Sequence, residues 1–155
     1  MTRQEGYRIV IEAEIRSQNL YKALAKSFRN AETTNVFNEL VVLEENHETK
    51  VRAAFSREFP HQELFIADDL SMQLSGIDLS DPKEVLQFAI YREEVAEDIY
   101  QKMAAESLDP EIKDMMLQFA AEELDHKTLL LAEIQRIQGA MTWFDSSELT
   151  GFMED

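Results

Sequence analysis

Cysteine is missing from the 155-residue chain. Its absence removes disulfides, thiolate nucleophiles, zinc–thiolate sites and iron–sulfur ligation together. Only 4 glycines and 3 prolines are present, so the chain has few places to bend and long regular elements are expected. Positive charge is also scarce, with 15 basic against 31 acidic residues and a net charge of -16. Phosphate backbones and anionic membrane surfaces are bound by clustered Lys and Arg, so neither nucleic acid nor membrane is an expected partner. No stretch approaches the roughly 20 apolar residues of a membrane span. The N-terminal MTRQEGYRIVIEAEIRSQ has no uninterrupted apolar core. The expectation is a soluble, cytoplasmic, single-domain protein, and the 45% hydrophobic share suffices for a core.

Two Asp-Pro pairs, Asp81-Pro82 and Asp109-Pro110, each supply an N-cap acceptor followed by a residue suited to the first helical position. Helices are expected from Pro82 to about Ser107 and from Pro110 to about Gln138, where Gly139 offers a C-terminal cap. Apolar spacing of three and four supports two more, from about Arg3 to Phe28 and from about Thr34 to Phe55. Between the second and third helices lies a segment, 58–81, holding Pro60, Gly76 and an apolar patch at Leu64, Phe65 and Ile66. A short turn would make helices two and three antiparallel neighbours, whereas a segment this long can cross a whole bundle. The expected fold is all-α: a four-helix bundle over 1–138 built from halves 1–57 and 82–138, with crossover 58–81. An acidic tail, 139–155, follows and is expected to dock on a surface or a partner subunit.

Sliding the sequence on itself by 79 residues exposes a repeat. Glu14 falls on Glu93, Tyr21 on Tyr100, Glu44 on Glu123 and His47 on His126, so Glu44-x-x-His47 matches Glu123-x-x-His126 without a gap. Within each hairpin the two glutamates are equidistant from the turn, roughly 22 Å at 1.5 Å per residue. All four should therefore share one layer. Each interrupts an apolar stripe, as in Val10, Glu14, Ser17, Tyr21 or Met116, Phe119, Glu123, His126. Uncompensated burial of a carboxylate costs several kcal/mol, so cations are needed, and two divalent ions balance four carboxylates. The i, i+3 spacing lets Glu and His reach the same ion.

With this ligand pattern the chain resembles the ferritin-like di-iron carboxylate superfamily, whose site takes one Glu from each of two helices and Glu-x-x-His from each of the other two. Within it, Glu14/Ser17/Tyr21 and Glu93/Ala96/Tyr100 are similar to the first and third helices of rubrerythrins. The resemblance implies a ferritin-like bundle with two iron ions, or manganese or zinc as loaded. Glu14 and Glu93 would be terminal ligands, Glu44 and Glu123 bridging ligands, and His47 and His126 one nitrogen ligand per metal. Tyr21 and Tyr100 would donate to the bridging carboxylates, or else be plain core aromatics. Glu97, four residues after Glu93, is the candidate for an accessory glutamate that responds to oxidation state. Rubrerythrins proper add a domain built on Cys-x-x-Cys pairs, so an external electron donor such as a rubredoxin-like protein is implied. Bacterioferritins place a haem-ligating Met after the second-helix glutamate; here that position is Glu45, and haem is not expected.

Met103, Met115 and Met116 read as core fillers, His61 as exposed, and Glu45 and Glu122 as solvated or interfacial. The leading functional expectation is a non-haem di-iron oxidoreductase reducing hydrogen peroxide or dioxygen. A ferroxidase feeding an iron store is the alternative at the same site. A metal-stabilised binding module acting through Trp143 and Phe144 is the reading of another class. A homodimer or larger homo-oligomer is expected. Of the net charge, the crossover carries six acids and no base and the tail four and none; a cation-attracting role for both is expected from this.

Overall fold

The computed structural model describes residues 2–70, 78 and 80–143. They form four helices: α1 (Arg3–Ser27), α2 (Ala31–Glu58), α3 (Pro82–Glu106) and α4 (Pro110–Trp143), with no strand among the described residues. Each start is chemically marked. Thr2 and Glu5 form a reciprocal capping box on α1. Asn30 accepts from the Thr33 amide, Asp81 from that of Lys83 and Asp109 from that of Glu111, each cap contributing about 0.5–2 kcal/mol. The Asn30 cap starts α2 three residues before the expected Thr34. At the other end α4 runs through Gly139 and does not stop there, since an interior glycine costs only about 1 kcal/mol and Ala140 and Met141 are good helix formers. The rest of the acidic tail, from Phe144 onward, lies outside the described residues.

α1 pairs with α2 and α3 with α4, and the two hairpins then face each other. Tyr21 reaches Glu93 and Tyr100 reaches Glu14, so α1 and α3 run antiparallel. His47 meets Glu122 and Thr33 meets Glu133, so α2 and α4 do too. Helices α2 and α3 must therefore point the same way, and their connection has to travel the length of the bundle. Its described part follows α1 as far as Leu70: Glu12 accepts from the Ala67 amide at 3.1 Å and Asn19 donates to the Leu70 carbonyl at 3.1 Å. The apolar patch of this segment divides by alternation. Leu64 and Ile66 pack on the core, while Phe65 stays 78% exposed.

The core is two apolar clusters with a polar layer between them. One gathers Leu24, Phe37, Leu40, Leu86 and Leu130, the other Val10, Val51, Phe55, Met103 and Met116. Each such side chain stabilises by about 1.5–3 kcal/mol when fully buried. Met115 is partly buried beside the second cluster and His61 is exposed. Polar clamps close both ends. At one, Arg3 forks onto Glu58 at 2.6 and 3.0 Å while Tyr7 donates to Glu58 at 2.6 Å. At the other, Thr33 and Arg136 both donate to Glu133 at 3.1 Å.

Burial alone would raise the Glu58 pKa, but hydrogen bonds from Arg3 and Tyr7 outweigh it and hold the carboxyl below its ordinary 4.5. A depressed carboxyl stabilises the fold above its unfolded pKa and loses that contribution as pH falls through the folded one. Urea unfolding should therefore show Glu58→Gln less stable than the parent at neutral pH. The gap should shrink as pH drops from about 5 to about 3; a gap that widens on acidification contradicts this assignment.

Candidate metal centre

Helical geometry carries Glu14, Glu44, Glu93 and Glu123 to a common height, and all four are at most 2% exposed. His47 and His126, one turn beyond Glu44 and Glu123, are 1% and 3% exposed. These six residues fall into two overlapping groups, Glu14/Glu44/His47/Glu123 and Glu44/Glu93/Glu123/His126. In each, the candidate ligand atoms lie within 4.8 Å of one another. Glu44 and Glu123 belong to both. His47 Nδ1 stands 2.7 Å from Glu123 and 3.5 Å from Glu14. His126 Nδ1 stands 2.6 Å from Glu44 and 3.5 Å from Glu93.

Polar atoms inside proteins are normally satisfied, and an orphan costs about 1–3 kcal/mol. Here Glu14 Oε2, Glu44 Oε1, Glu93 Oε2, both Glu123 oxygens and both histidine Nδ1 atoms are buried without a hydrogen-bond partner. Seven such atoms converging on one layer form a donor set of hard oxygens and imidazole nitrogens, the chemistry that suits iron, manganese or zinc. The residues fit a pair of divalent cations.

Electrostatics within the layer run the same way. Burial, then the neighbouring carboxylates, pushes Glu44 and Glu123 well above the ordinary range. Burial would raise Glu14 too, but its close contacts with Glu44 and His47 outweigh it and lower the pKa. Burial would lower both imidazoles, and the surrounding carboxylates raise them instead. These shifts favour protons on Glu44, Glu123 and both imidazoles, the same sign of charge that divalent ions would bring.

Tyr21 and Tyr100 are fully buried, and burial followed by nearby carboxylates pushes both hydroxyls far up, so they donate. Their acceptors are Glu93 for Tyr21 and Glu14 for Tyr100, the latter at 2.6 Å. The expectation that they serve Glu44 and Glu123 is corrected: seven residues after each glutamate, the ring has advanced two turns and reaches across to the opposite hairpin. Glu97 is not drawn into the cluster. It lies half-buried on α3, accepts from Gln101 at 3.3 Å and belongs to neither ligand group.

Glu122 is the residue that sequence reasoning passed over. It accepts from His47 Nε2 at 2.6 Å and from Gln118 at 3.1 Å, and those bonds overcome burial to lower its pKa. The repeat concealed it, since its counterpart 79 residues earlier is Leu43. The available signal was an acid adjacent to Glu123 on the side of α4 that faces α2.

No curated protein matches the chain. The family model described as Rubrerythrin matches residues 84–154, which takes in most of α3 and all of α4. Among solved structures, a hypothetical protein from Pyrococcus furiosus is similar at a TM-score of 0.78 and 24% identity, with 93% of each chain covered. No described helix is long and apolar enough to cross a membrane. The Rubrerythrin match thus falls on the second hairpin, and the likeness of fold to the Pyrococcus furiosus protein extends over nearly the whole four-helix chain.

Proposed function

We propose that the protein is a non-haem di-iron carboxylate protein of rubrerythrin type that reduces hydrogen peroxide or dioxygen. The observation that carries this reading is the pair of four-residue groups sharing Glu44 and Glu123. Glu14 and His47 would hold one metal and Glu93 and His126 the other, with Glu44 and Glu123 spanning both. Two iron ions, when bound, supply the two electrons that convert one hydrogen peroxide and two protons into two waters.

The chain's own residues contribute position, dryness and protons. Tyr100 and Tyr21 fix the rotamers of Glu14 and Glu93 through their hydroxyl protons. Phe119, stacked on His47 at 4.3 Å, and Leu40 and Leu130 pack above and below the layer and exclude bulk water. Glu97 belongs to neither group. The chain has no cysteine for a rubredoxin-type iron, so the electrons come from a donor outside it, a rubredoxin-like protein being the expected class.

Anaerobic loading with ferrous iron should give two ions per chain, and one equivalent of peroxide should oxidise both, as followed by stopped-flow absorbance. Binding of no iron, or a diferrous protein inert to both peroxide and dioxygen, sinks the proposal. Replacing Glu44 and Glu123 together by Ala should abolish iron uptake. If only stability and partner binding responded, the binding-module reading would stand instead.

Because carboxylates and imidazoles bind a metal only when deprotonated, loading should release protons, and apparent metal affinity should rise with pH. Calorimetry in buffers of different ionisation enthalpy measures that release. Glu44→Gln removes one carboxylate from the layer, so the metal-free variant should melt no lower than the parent. A drop beyond about 4 °C, the size of a 1 kcal/mol loss, would show that carboxylate–imidazole pairs alone hold the layer together.

A further inference from the structure

The two imidazoles are held differently. His47 Nε2 donates to Glu122 at 2.6 Å, and Gln118 anchors the other Glu122 oxygen at 3.1 Å. The His47 ring also stacks on Phe119 at 4.3 Å and meets the edge of Tyr100 at 6.0 Å. His126 contacts carboxylates only through Nδ1, and its Nε2 makes no hydrogen bond among the described residues. The positions corresponding to Glu122 and Phe119 in the other half are Leu43 and Leu40. An aliphatic pair stands where His47 has an acceptor and an aromatic ring.

A carboxylate that accepts from the outer N–H of an imidazole fixes its tautomer, aims the other lone pair at the site and increases that nitrogen's basicity; losing such a partner costs about 10–100-fold in metal affinity. Resting on the two-metal reading above, we propose that the two metal positions are unequal. The one at His47 is tighter and fills first, with Glu122 as its positioning residue. The chain thus holds one resident metal, while the His126 position exchanges its metal more readily.

Crystals of the full chain given less than one equivalent of manganese, measured at the manganese edge, resolve the two positions. The anomalous peak beside His47 should exceed that beside His126 several-fold. In Glu122→Gln the bias should vanish or reverse, and the first calorimetric manganese step should weaken about 10–100-fold while the second is unmoved. Glu122→Asp should restore the parent order. Leu43→Glu, which offers His126 an acceptor of its own, should strengthen the second step. Equal peaks in the parent, or a bias that survives Glu122→Gln in folded protein, overturn the inference while leaving the two-metal reading intact. Should Glu122→Gln fail to fold, a second step unchanged in Leu43→Glu overturns it. Binding of no metal at all removes both.

Discussion

Moving a carboxylate from water into an apolar interior costs several kcal/mol even after relaxation, and this bundle does so four times at one height. Glu14, Glu44, Glu93 and Glu123 sit between two apolar clusters that stabilise the helices from either side. With whole-domain stability of only about 5–15 kcal/mol, the layer is tolerable only if its charge is cancelled locally. Protons on Glu44, Glu123 and the imidazoles can do this, as can divalent cations. Everything else in the architecture follows from keeping the layer flat and dry: equal arm lengths in the two hairpins, a crossover that lets α2 and α3 run in parallel, and aromatic or branched side chains directly above and below.

Much of this was legible because the constraints are periodic. A charged residue on an apolar stripe stands out, and the same interruption repeated 79 residues later is hard to attribute to surface decoration. The Asp-Pro pairs announced α3 and α4 because capping chemistry is local. What resisted reading was non-local. Glu12 pairs with Arg8 four residues before it, and it is buried where a segment more than fifty residues away donates an amide to it. The tyrosine acceptors were misassigned for the same reason: a stripe says which face a hydroxyl occupies, and only the packing of hairpins says which glutamate it meets.

That crosswise pairing carries a consequence for how the site comes into being. Tyr21 of α1 orients Glu93 of α3, and Tyr100 of α3 orients Glu14 of α1. On the other pair of helices, His47 of α2 is steered by Glu122 of α4, and His126 of α4 lies against Glu44 of α2. In three of these four ties a proposed ligand of one half is set by a residue of the other that is not itself a proposed ligand. In the fourth two proposed ligands meet directly. A single hairpin therefore offers its carboxylates and imidazole on freely rotating side chains, and the geometry closes only when the halves dock. Docking is also the step that removes the charges from water. The energetic cost and the means of offsetting it thus arise in the same event, which favours one cooperative transition over a stepwise assembly of two half-sites. The repeat supplies matching ligands, and the places where it fails, Glu122 against Leu43 and Phe119 against Leu40, are where the two halves of the layer cease to be interchangeable.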